Sequence, residues 1–187
     1  SYLSRNVNEK NSDWGNFVYV KKNVKAILEK DLRSIIKKEL RPNIMISSAT
    51  DPYQPIEETE RNTRSIFELL AEIKFQGKVN CLTKSPLILR DVDLFREIKN
   101  INLSMSICHS NDKIKSFFEP NTLPIEDRLN TIKILNNMGF RTCVFMAPIL
   151  PYYENHLDEL EDLFRKIKDV GTSQIVCDLL NIYGTME

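Results

Sequence analysis

The chain of 187 residues carries 26 basic and 26 acidic side chains, so no net charge draws in a polyanion or an acidic membrane surface. No apolar run approaches the roughly 20 residues that span a bilayer, and no signal-peptide pattern opens the sequence, so a soluble, cytoplasmic protein without a membrane partner is expected. The length fits one domain with a sizeable core, residues 1–41 being a polar lead-in plus helix and residues 42–187 the remainder.

The lead-in is polar from Ser4 to Asp13. Val24, Ile27, Leu28, Leu32, Ile35, Ile36 and Leu40 then repeat at helical spacing, and Pro42 closes that helix. Residues 43–47 read as a short strand. Residues 56–75 read as a helix, with Ile66, Phe67, Leu69, Leu70 and Ile73 turned inward and a stop near Gly77. A strand over 79–83 is followed by a helical turn or short helix over 86–98, and by a strand over 101–107. Residues 124–138 form a helix with Pro in its first turn and Gly139 as its C-terminal cap. A strand over 140–146, a helix over 155–170 ended by Gly171, and a strand over 174–180 complete the pattern.

Strand and helix alternate strictly, and residues 142–146 are apolar at both parities, as in a parallel strand covered on its faces. Right-handed crossovers between successive strands lay them side by side and curl the sheet. The expectation is a parallel α/β fold with barrel-like curvature.

Four cysteines, Cys81, Cys108, Cys143 and Cys177, sit in or at the end of apolar runs. None lies within three residues of another, so no C-x-x-C pair or close triplet is available for zinc or an iron–sulfur cluster. A buried cysteine that behaves as a small hydrophobe is the simpler reading.

In parallel α/β folds function collects at the carboxyl ends of the strands. Those ends carry Ser47, Ser48, Ala49, Thr50 and Asp51; Thr83, Lys84 and Ser85; Ser104, Ser106, Cys108 and His109; Ala147, Pro148 and Ile149; and Asp178 and Asn181. Each has a plainer alternative. Thr50-Asp51-Pro52 also suits a capping turn, Lys84 a solvated loop, and Ser104 and Ser106 a tight interior. His109 also suits a strand end without a chemical role, and His156 a helix face. No G-x-G-x-x-G, Walker element or nucleophile elbow occurs, so a nucleotide-like ligand would be held by side chains and strand-end backbone.

Several blocks carry a resemblance: "WGNFVYVKKN" (14–23), "ISSATDPYQPIEETERNTR" (46–64), "LTKSPLILRDVDL" (82–94), "LSMSI" (103–107), "FEPNTLPIEDRL" (118–129) and "GFRTCVFMAPILP" (139–151). In order and spacing they resemble the radical S-adenosylmethionine (SAM) enzymes, in particular the spore-photolyase-like group often labelled DNA repair photolyases. The resemblance implies an incomplete parallel (β/α) TIM-like partial barrel of the radical SAM type, with five strands present and the first missing. The family's C-x-x-x-C-x-x-C loop, which holds a 4Fe–4S cluster, would precede Ser1, leaving no metal ligands in the chain itself. The strand before residue 43 would be absent with it, exposing an unpaired edge at residues 43–48.

The resemblance also implies SAM as cofactor, an external electron donor, and a substrate not named by the residues, nucleic acid being one candidate. It sets Ser48, Thr50 and Asp51 beside the methionine part of the cofactor and Lys84 near its carboxylate. Ser104 and Ser106 fall near carboxylate and ribose, and the backbone at Ala147 along the adenine. Glu119 and Arg128 match positions without an assigned role, a bracing ion pair being the plainer reading. Spore photolyase proper has C-T-S-D where this chain reads Ser48-Ala49-Thr50-Asp51, so its hydrogen-donating cysteine has no counterpart there. A second class of function, a non-catalytic barrel module that binds a nucleotide-like ligand or a partner, fits the same residues.

Overall fold

The computed structural model describes residues 17–46 and 49–180. Five strands form one parallel sheet: β1 (Asn43–Ile46), β2 (Lys78–Thr83), β3 (Ile101–Ser106), β4 (Thr142–Ile149) and β5 (Gln174–Leu179). Their order in the sheet is their order in the chain. The connections carry α1 (Val24–Ile36) ahead of β1, then α2 (Glu57–Glu60), α3 (Asn62–Glu72), α4 (Val92–Phe95), α5 (Asp112–Phe118), α6 (Ile125–Asn137) and α7 (Leu157–Asp169). This is the expected parallel α/β arrangement of alternating strands and helices, with five strands present.

Several boundaries move for local reasons. The helix expected over 56–75 is two helices, broken where Arg61 takes a left-handed φ of 50°. The stretch after β2 begins as a 3₁₀ helix, Pro86–Asp91, whose first turn is fixed by Pro86 and capped by the Ser85 hydroxyl, which accepts from Leu87 N–H. Helix α5 was not expected; Asn111 caps it by accepting from Ile114 N–H. Gly139, at φ 85°, ends α6 as expected.

Alternation divides the sheet into two unlike faces. Val79, Cys81, Leu103, Met105, Val144 and Met146 point into the helical layer, where they meet Phe67, Leu70, Ile88, Phe95, Ile132, Leu135, Leu163 and Ile167. Phe67, Phe95 and Phe140 join edge to face within that layer. The other face carries Met45, Asn80, Leu82, Asn102, Ser104, Ser106, Cys143 and Phe145, at opposed register positions on β1 to β4. Asn102 donates to the side chain of Asn80 across two strands at 3.0 Å. One face is thus the main core, and the other is mixed, with Asn80, Asn102, Ser104 and Ser106 set among Met45, Leu82 and Phe145.

Strand β1 pairs with β2 alone among the described residues, and Met45 on it is 45% exposed. Beside it runs an open groove of about 750 Å³, lined by Ile27 and Leu28 of α1, Ile44 and Ile46 of β1, and Thr50 and Asp51 beyond it. No described helix is long and apolar enough to cross a membrane.

Candidate functional site

The T-D-P-Y sequence after β1 folds into a turn around one carboxylate. Asp51 Oδ1 accepts the backbone N–H of Tyr53 at 2.8 Å, an Asx turn that Pro52 favours, and the Thr83 hydroxyl at 2.6 Å. Its Oδ2 accepts the backbone N–H of Lys84 at 2.7 Å. Asp51 therefore ties the end of β1 to the end of β2 and sets the backbone from which Lys84 projects. Ala49 and Thr50 are exposed on the same turn. Ser48 lies outside the described residues.

Lys84 is not a free loop lysine. Its Nζ lies 2.9 Å from Glu119 Oε1, and the lysine side chain remains 38% exposed. The other oxygen of Glu119 accepts from Arg128 Nη2 at 2.7 Å. Arg128 is fully buried, and its Nη1 donates to the Ser106 carbonyl at 3.0 Å, its Nη2 also to the Thr122 hydroxyl at 2.6 Å. Burial pushes the Glu119 carboxyl up, but the hydrogen bonds from Lys84 and Arg128 outweigh it and hold the acid below its ordinary value. The Glu119–Arg128 pair thus braces the rim, and Lys84 joins it.

His109 completes this group. Its ring is 3% exposed and stacks on Phe118 at 5.5 Å, with Nε2 3.8 Å from Glu119 Oε1. Neither ring nitrogen has a hydrogen-bond partner among the described residues. Burial holds the imidazole below its ordinary value, so it is neutral near pH 7. An orphaned buried imidazole calls for a partner from solvent or a ligand.

On the polar face of β3, Ser106 Oγ lies 3.6 Å from Cys108 Sγ, and that thiol reaches the Ala147 carbonyl at 3.2 Å. Ser104 sits opposite Cys143 on β4. The Ala147–Pro148 peptide is cis. Ser104, Ser106 and Ala147 therefore share one surface of two adjacent strands, with Lys84 and Asp51 at the carboxyl end of the neighbouring pair. His156, by contrast, is used locally: its ring stacks on Tyr152 at 3.9 Å and its Nδ1 lies 2.9 Å from the Tyr152 carbonyl.

The sequence reading missed a second network, which uses the most specific letters of the motif blocks. Asp91 is fully buried and accepts from the Tyr53 hydroxyl, Arg64 and Arg90. Glu57, also buried, accepts the backbone N–H groups of Thr63 and Arg64 and a guanidinium N–H of Arg90. Burial and the neighbouring Cys81 and Asp91 push the Tyr53 phenol far up, so it stays a donor. The available signal was Arg90-Asp91 directly after the apolar run Leu87-Ile88-Leu89, because buried charges occur in pairs.

The cysteines stay apart. Cys81 is buried on the helical face, Cys143 is buried on β4, Cys177 is exposed on β5, and Cys108 alone reaches the rim. Among the described residues no three His, Cys, Asp or Glu side chains are grouped to hold a metal.

No protein-family model matches the chain. It is 33% identical over 138 residues to an uncharacterized protein of Methanocaldococcus jannaschii, covering 74% of this chain and 49% of that protein. It is 25% identical over 130 residues to a radical SAM Nalpha-GlyT isomerase of Pseudomonas phage M6, covering 70% of this chain and 26% of the isomerase. Among solved structures, spore photoproduct lyase complexed with dinucleoside spore photoproduct superposes with a TM-score of 0.67 at 17% identity, over 95% of this chain and 50% of the lyase. A variant of the same lyase with bound AdoMet and dinucleoside spore photoproduct gives a TM-score of 0.66. The chain has a radical SAM-like scaffold and spans about half the length of the first curated relatives it matches.

Proposed function

We propose that this chain is the SAM-binding barrel of a radical enzyme. One observation carries the reading: a partly exposed cation, Lys84, stands at the carboxyl ends of the strands beside the Ser104 and Ser106 side of the sheet and a buried imidazole that has no partner among the described residues. That donor set fits an amphoteric, carboxylate-bearing nucleoside. Lys84 would meet the carboxylate, Ser104 and Ser106 the carboxylate and ribose side, and the backbone at Ala147 the adenine edge. Asp51 would hold Lys84 in place, and Thr50 would lie near the ammonium. When bound, SAM would supply radical chemistry: one electron from an external donor would cleave it to methionine and a 5′-deoxyadenosyl radical able to take hydrogen from a substrate.

The described residues do not fit the 4Fe–4S cluster, since their thiols are spread over β2, β4, β5 and the segment beyond β3. In this reading the cluster ligands, of the C-x-x-x-C-x-x-C type, come from outside residues 1–187. Nucleic acid is the first substrate class to test. Phe117, 81% exposed, and Phe118, 53% exposed, meet edge to face after β3 and offer surfaces on which bases stack. Repair of the spore photoproduct itself is not part of the proposal.

The deciding experiment is calorimetric titration of the chain with SAM and with S-adenosylhomocysteine, with adenosine as the carboxylate-free comparison. Binding of both, with adenosine clearly weaker, supports the reading. Equal binding of adenosine leaves a nucleoside module without a carboxylate site, and no binding sinks the proposal.

A further inference from the structure

Lys84, Glu119 and His109 meet at one oxygen. Glu119 Oε1 lies 2.9 Å from Lys84 Nζ and 3.8 Å from His109 Nε2, while Oε2 is held by the buried Arg128. Of these two groups facing Oε1, Lys84 reaches solvent, whereas the imidazole is buried and has no partner for either nitrogen among the described residues. A shift of roughly 1 Å would bring Nε2 within hydrogen-bond range of Oε1.

We infer that Glu119 is a resident stand-in for a ligand carboxylate, and that Lys84 exchanges one for the other while His109 takes the vacated Glu119 oxygen together with a proton from solvent. This rests on the proposed SAM reading and deepens it, since it assigns regulation of that site. Without ligand, Lys84 neutralises Oε1 and His109 has no reason to be charged. When Lys84 turns to the incoming carboxylate, Glu119 keeps Arg128 on one oxygen and loses its partner on the other. A protonated His109 restores that partner, because an imidazolium next to a carboxylate is favoured. The charged groups facing His109 are Glu119, which favours the proton, and Arg128, Lys84 and Lys115, which oppose it. Lys115 is already committed to the Thr122 carbonyl at 2.6 Å, so the movable term is Lys84.

Proton uptake and anion binding are then linked, each favouring the other. The probe is S-adenosylhomocysteine, titrated into the chain near pH 6.5 in two buffers of different ionisation enthalpy. The wild type is expected to take up between about half and one proton per ligand, and its affinity to fall roughly three- to tenfold per pH unit between about pH 6 and 7.5. His109→Gln should bind with no such uptake, which removes any contribution from the ligand's own amine. The chain has two histidines, so the imidazole C–H signals of the wild type give the same answer without a variant. The His109 titration should move to higher pH on binding. Binding with no proton uptake and an unmoved His109 titration overturns the exchange while leaving the cofactor reading standing. No binding of S-adenosylhomocysteine overturns both.

Discussion

The Tyr53 hydroxyl donates to Asp91 Oδ2 at 2.9 Å, joining the T-D-P-Y-Q-P block after β1 to the L-I-L-R-D block after β2. Both side chains are buried. These motif letters face each other rather than a ligand. Tyr53→Phe should therefore lower the unfolding free energy by about 1–3 kcal/mol, the cost of leaving a buried acceptor one partner short. Urea denaturation with an unchanged m-value checks this, and a fully stable variant would mean that Tyr53 serves something other than the fold.

Two glycines test two different constraints. A Cβ at Gly77 would sit 2.1 Å from the Pro42 carbonyl oxygen and 2.5 Å from the Phe75 ring, so Gly77→Ala must part the strands' entrances at a cost of about 1–3 kcal/mol. At Gly139 nothing lies within 4 Å, but φ is 85°, so Gly139→Ala should cost only the backbone term of about 1 kcal/mol. Thermal melts of the two variants should rank in that order; the reverse ranking would contradict the packing between Pro42 and Gly77.

Acid should act in two windows. The His109 imidazole is held below its ordinary value, chiefly by burial, so the unfolded chain binds its proton first. Stability is therefore full above about pH 6.5 and falls as the pH drops below that value. Glu119 is also held below its ordinary value despite burial, by Lys84 and Arg128, so a second loss begins below about pH 4.5. Stability measured against pH in His109→Gln should lack the first window and keep the second. A wild-type profile flat from pH 7 to 5 would show that His109 is not buried as described.

Lys84→Ala should weaken SAM binding by about 1.5–3 kcal/mol, the range for a hydrogen bond to a charged group. On the fold, alanine retains the backbone N–H that Asp51 accepts but leaves Glu119 Oε1 without its Lys84 partner, so a modest loss of stability should accompany the binding effect. Calorimetry showing unchanged affinity in a stably folded variant would take Lys84 out of the site.

Anaerobic incubation of the 187-residue chain with iron and sulfide should leave it colourless. Its thiols lie on separate elements and cannot converge on one small metal core. A stoichiometric brown chromophore would contradict that arrangement.

The strand–helix alternation was legible because apolar periodicity reports burial directly, and β2 to β5 fall close to where that period places them. What the period does not report is backbone sign: nothing in E-T-E-R-N-T-R announces that Arg61 goes left-handed and splits the helix. Lys84 was legible as a strand-end residue, but its partner was not, because Glu119 lies beyond an unforeseen helix, α5. Arg128, in the first turn of α6, was legible with Glu119 as a bracing ion pair, but its burial against the Ser106 carbonyl was not. Asp51 was legible as polar and adjacent to the site. Its role in clamping two strand ends depends on Thr83 and the Lys84 backbone, which only the sheet register brings to it.

The sheet adds its strands in chain order, so every pair is closed by one local connection and none waits for a distant partner. Such a topology keeps contact order low for a parallel sheet and lets structure grow outward from a seed. Strand β3 has both flanks paired and its last four residues buried, whereas β1 and β5 are largely open. Opening should therefore begin at the two outer strands and spare the middle, as a graded series of partial unfolding steps. The Lys84–Glu119–Arg128 group hangs on β2, β3 and α6, in the part of the molecule that opens last. A ligand held there would meet a rigid floor even while the margins of the sheet fluctuate.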